Sequence, residues 1–65
     1  MNKAAYEALC QERMHGLYRI ALSILRSPAD AQDAVQQAFL NAWVHRETVY
    51  PGCETGWITR ILINE

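Results

Sequence analysis

Between Asp30 and Val44 the chain reads DAQDAVQQAFLNAWV, an alanine-rich stretch whose apolar residues keep a helical step. At 100° per residue, Ala31, Val35, Ala38, Phe39 and Ala42 fall within about a third of a helix circumference. That is a core face, and its small side chains let a neighbouring helix come close. Asp33, Gln37, Leu40 and Val44 gather on the opposite side, with Gln36 flanking them. A small helical bundle normally buries one stripe and solvates a charged one. Here the outer stripe carries amides, one carboxylate and two aliphatics. Two readings fit it. It is a protein interface with a modest apolar centre and a hydrogen-bonding rim, or its aliphatics are scattered surface residues or lie under a fourth helix.

The same period organises the flanks. From Lys3 to about Arg26, the residues Tyr6, Leu9, Cys10, Leu17, Ile20, Ala21 and Ile24 recur at three- and four-residue steps. Glu7, Gln11, Glu12, Arg19 and Ser23 fill the other side of this first helix. Gly16 interrupts it at a cost of about 1 kcal/mol relative to alanine, marking a kink or a close helix crossing. In RSPAD, Ser27 is the expected N-cap, Pro28 the first helical residue and Asp30 the third, so a second helix runs from Pro28 to about Arg46. TVYPGCET is a turn centred on Pro51-Gly52. Glu54 or Thr55 then opens a third helix, in which Trp57, Ile58, Ile61 and Leu62 form a stripe and Ile63 points away from it. No glycine, proline or basic last turn follows Asn64. The expectation is therefore one truncated domain spanning residues 1–65, with Ile63 to be covered by something else.

Composition excludes more than it selects. A single core in 65 residues rarely supplies more than about 3–5 kcal/mol. The formal net charge of −1 argues against a basic patch able to hold duplex nucleic acid by electrostatics alone. No window is apolar enough for a membrane span, so no membrane insertion is expected. MNKAAYEALCQERM has no apolar h-region of a secretory signal, which leaves the cell interior. Cys10 and Cys53 are expected as free thiols. With His15 and His45 they match no usual zinc spacing, so neither metal nor cofactor is expected. Both histidines read as surface or helix-end residues. Nothing assembles a nucleophile, base and oxyanion set, so the chain is not read as an enzyme.

The second helix with its cap, SPADAQDAVQQAFLNAW, resembles the core motif of bacterial RNA polymerase sigma factors of the extracytoplasmic-function (ECF) type, within region 2 of the sigma-70 family. Asp30, Ala31, Asp33, Val35, Gln36, Phe39, Leu40, Ala42 and Trp43 stand in register with that motif. GWITRILIN is similar to the family's Trp-Leu-x-Arg-Ile-x-x-Asn segment through Trp57, Ile58, Arg60, Ile61 and Asn64. LYRIALSILRSP is similar to its first helix. The likeness covers about residues 15–65 and implies an all-α, three-helix bundle in the bacterial cytoplasm.

What the resemblance implies about function is transcription initiation, by binding core RNA polymerase and helping to recognise and melt the promoter −10 element. The second helix would dock on the clamp helices of the largest polymerase subunit through Asp33, Gln36 and Gln37, with Leu40 as an apolar contact. Gln37 departs from the family's usual Glu, keeping an acceptor and losing a charge. Asn64 would recognise a flipped base of the non-template −10 strand, since an amide pairs a donor and an acceptor with a base edge. Arg60 would contact a phosphate or form an intramolecular salt bridge. Trp57 suits a core anchor better than a stacking platform. The loop VYPGCETGW is shorter than many family versions, which leaves Tyr50 without an assigned role. An anti-sigma factor is a further partner the family admits. The basic remainder of the promoter-reading helix and a second domain for the −35 element are expected outside these residues. Two rivals remain: a helical interaction module, and a fragment of a helix-turn-helix regulator, for which GWITRILINE carries few cations.

Overall fold

Each of the first two helices starts where a side chain can complete its first turn. In the computed structural model, which describes residues 1–64, Asn2 caps α1 (Lys3–Leu25), its Oδ1 accepting from the Ala5 N–H at 2.8 Å. Ser27 caps α2 (Pro28–Val44), its Oγ accepting from the Asp30 N–H at 3.3 Å, with Pro28 at the first position as its sequence requires. Between them Arg26 closes α1 in the left-handed region at φ 57°, its N–H donating to the Leu22 carbonyl at 2.8 Å.

α2 stops two residues short of its expected end. His45 is its C-cap, and a short 3-10 turn over Arg46–Thr48 takes over. Tyr50-Pro51-Gly52-Cys53 form a tight turn in which the Cys53 N–H donates to the Tyr50 carbonyl at 3.0 Å. Gly52 has φ 88°, the conformation that a type II turn, here with Pro51 at its second position, requires of its third residue. α3 (Glu54–Ile63) follows. Glu54 opens it while its Oε1 accepts from the Gly52 N–H at 3.1 Å, tying the turn to the helix.

The three helices pack pairwise around one core of Leu9, Leu17, Ala21, Ala31, Val35, Ala38, Phe39, Ala42, Ile58 and Leu62. All five residues of the expected α2 core face are in it. The start of α1 lies beside the end of α2, so the two run antiparallel: the Tyr6 hydroxyl donates to the Phe39 carbonyl at 2.9 Å. The Tyr6 and Trp43 rings meet at 4.8 Å, and the Arg46 guanidinium stacks on Trp43 at 3.9 Å from its centroid. Together these aromatic and cation–π contacts contribute on the order of 1–2 kcal/mol.

Two expectations about α1 need correction. Ile24, placed in the buried stripe, is 63% exposed. α3 has 10 residues against the 23 of α1 and cannot shield it along its whole length. Gly16 marks neither a break nor a close crossing. α1 runs through it, and a Cβ there would meet only the Arg13 guanidinium of the same helix, at 3.3 Å. No described helix is long and apolar enough to cross a membrane.

Candidate functional site

The outward flank of α2 comes first, because the packing of α2 defines it. Ala31, Ala38 and Ala42 are fully buried at 0% exposure, whereas Leu40 and Val44 on the far side are 58% and 69% exposed. Asp33, Gln36 and Gln37 are all exposed with them. No fourth element covers the flank among the described residues. Its polar groups are held lightly: the Gln37 Nε2 donates to the Asn41 Oδ1 at 3.5 Å, one turn on along the same helix. The amides are therefore presented to solvent on a rigid element, with an apolar residue between them and the helix end.

The flank does not end at α2. Gln36 also lines a groove of about 280 Å³ between α1 and α2, with Met14, His15 and Tyr18 on its other wall and Val35 and Phe39 at its floor. Leu40 borders a second hollow with Lys3, Tyr6, Glu7 and Trp43. Sequence reasoning left out the α1 side of this surface. Met14 is 52% exposed, yet its spacing from Cys10 and Leu17 continues the α1 stripe, so the sequence pattern gave no sign of it.

A separate cleft of about 820 Å³ opens between the end of α2, the loop and α3. Trp57, Arg60 and Asn64, singled out from the sequence, line it together. Their spacing of three and four residues puts them on one face of α3. Trp57 is half-buried against the core, as a core anchor should be, and still shows part of its ring to the cleft. Arg60 is exposed, and no ion pair joins it to another described residue. Asn64 caps α3, its N–H donating to the Arg60 carbonyl at 3.0 Å, with its side chain exposed. The cleft also recruits Tyr50, 78% exposed at the turn, and Asn41 and His45 from α2. These three were not legible, because only the fold brings the end of α2 against α3.

Cys10 is partly buried and Cys53 exposed, both as free thiols. Burial pushes the Cys10 thiol up from its ordinary value, more than the adjacent Tyr6 hydroxyl pulls it down. The same burial, then the Cys10 neighbour, raises the Tyr6 hydroxyl to about 12.

The residues linking α2 to α3, 45–53, are too many for a helix-turn-helix, whose turn has about three or four residues, which removes that rival. Comparison with curated proteins and with solved structures returned no match. A family model described as sigma-70 region 2 matches residues 9–65. The match takes in most of α1, the whole two-sided α2, the loop and α3, and with it the chain belongs to the sigma-70 region 2 family.

Proposed function

We propose that this chain acts in transcription initiation through two surfaces, the α2 flank for core RNA polymerase and the α2–α3 cleft for the opened −10 strand. The observation that carries the reading is the division of α2 itself. Ala31, Ala38 and Ala42 are fully buried, while Asp33, Gln36, Gln37 and Leu40 stay exposed on the opposite side of the helix. An apolar residue rimmed by hydrogen-bonding groups suits docking on a helical partner, and we assign that part to the clamp helices of the largest polymerase subunit. The groove lined by Met14, His15 and Tyr18 extends that contact onto α1.

In the cleft, Asn64 offers an amide to a base edge, Arg60 a guanidinium to a phosphate, and Trp57 with Tyr50 aromatic surface for an unstacked base. A near-neutral chain of net charge −1 binds a strand weakly on its own, so the polymerase-bound state is the one in which the cleft works. An inhibitory anti-sigma factor would act by covering either surface.

The test is direct. Asp33→Ala and Gln36→Ala should each weaken binding to core polymerase about tenfold while far-UV circular dichroism stays unchanged. If both variants bind core enzyme like the parent, the flank is not the docking surface. Binding to core enzyme with no contact to single-stranded −10 DNA would leave a helical interaction module in its place.

A further inference from the structure

The strand-binding reading of the cleft assigns it a single permanent cation. Among the described residues lining it, Arg60 alone carries a formal charge. His45 lines the same cleft from the α2 side, as the C-cap of that helix. Its backbone is fixed on both sides. The N–H donates to the Asn41 carbonyl at 3.0 Å, and the carbonyl accepts from the Thr48 N–H at 3.0 Å and the Thr48 hydroxyl at 2.7 Å. The residue is exposed, and its ring makes no hydrogen bond among the described residues. A helix C-terminus favours a cation, and an imidazole gains one within about pH 8 to pH 5.

We propose that His45 is the second phosphate anchor of the cleft, so that a strand is held from α2 by an imidazolium and from α3 by Arg60, more tightly as the pH falls. The proposal rests on the strand-binding reading and adds a residue that the likeness to the family does not supply. The charge it adds matters in so neutral a chain. The net −1 counts both histidines as neutral, and protonating them makes it positive.

The groups around His45 do not account for such a pH dependence. Arg60, Tyr50 and Cys53 line the cleft with it. A guanidinium and a phenol keep one charge state over that range, and a thiol changes only at its alkaline edge. Arg46 is turned away over the Trp43 ring, and the Glu54 carboxylate holds the Gly52 N–H. Glu47, exposed on the 3-10 turn, is not among the described residues lining the cleft.

The experiment is an amide NMR titration of the full chain with a short single-stranded oligodeoxynucleotide of mixed sequence, at about pH 5.5 and about pH 8. Affinity should be about two- to fivefold higher at the lower pH, the range of one exposed ion pair. His45→Gln should remove that difference. His15→Gln should keep it, because His15 lies in the groove between α1 and α2. If His45→Gln keeps the pH difference while the strand still shifts the Trp57, Arg60 and Asn64 resonances, the anchor is refuted and the strand-binding reading survives. Amide shifts also report weak binding by the free chain, so if a large excess of strand shifts none of those resonances at either pH, both are refuted.

Discussion

Arg26 ends α1 with φ 57°, where an L-residue other than glycine brings its Cβ against the backbone. That conformation costs about 1–2 kcal/mol, while glycine in its place would lose about 0.5–1 kcal/mol more chain entropy on folding. The steric term is the larger. Arg26→Gly should therefore stabilise the chain by about 0.5 kcal/mol, raising Tm by a few degrees in thermal circular dichroism. A lower Tm would show that the Arg26 side chain contributes contacts the exposed position does not suggest. Tyr6 gives a second measurement at this scale. Its hydroxyl is raised from 10.0 to about 12 by burial and then by Cys10. The folded state thus favours the neutral phenol, and the stabilisation is full below about pH 10 and lost as the pH rises toward 12. The Cys10 thiol, raised from 9.0, has the same sign. Urea midpoints should hold steady to about pH 9 and fall above it. In Tyr6→Phe the decline above pH 10 should be shallower, and an identical decline would place the titrating group elsewhere.

α2 shows how one sequence period can serve two surfaces. Its N-cap, its alanine face and its exposed flank were legible, because helical spacing and Ser-Pro capping are local properties of the chain, whereas its end at His45 was not. Asp33, Gln36, Gln37 and Leu40 could be placed on the outside from spacing alone. What spacing could not supply was the neighbour of each helix. Ile24 fitted the α1 stripe and is exposed, since a stripe says nothing about how far the third helix reaches. Asn41, His45 and Tyr50 join Trp57, Arg60 and Asn64 in one cleft only through the path of the loop. The two-sided α2 also carries its own prediction. Gln37→Glu would restore the carboxylate usual in the family at an exposed position. If the partner presents a cation there, affinity for core polymerase should rise about two- to fivefold at low salt and less at high salt. Unchanged or weaker binding would mean that the amide meets no cation.

For the whole molecule, the consequence of an alanine-faced helix is a thin core. Among the described residues, Ala21, Ala31, Ala38 and Ala42 are four of the ten that form the buried core, and alanine buries little apolar area. The burden falls on Leu9, Leu17, Val35, Phe39, Ile58 and Leu62. Phe39 has the largest side chain of these, at 9% exposure, and its carbonyl also receives the Tyr6 hydroxyl. Truncating a buried Phe costs about 3–5 kcal/mol, as much as the whole net stability of about 3–5 kcal/mol available to a domain this small. Phe39→Ala should therefore populate the unfolded chain at room temperature, with loss of the far-UV helical signal and of amide dispersion. The next residue along gives the opposite outcome. Leu40→Ala, on the solvent side of α2, should leave Tm within the shift expected of about 0.5 kcal/mol yet weaken core polymerase binding. If Leu40→Ala unfolded the chain, or Phe39→Ala melted like the parent, the inner and outer faces of α2 would be reversed, and the docking surface with them.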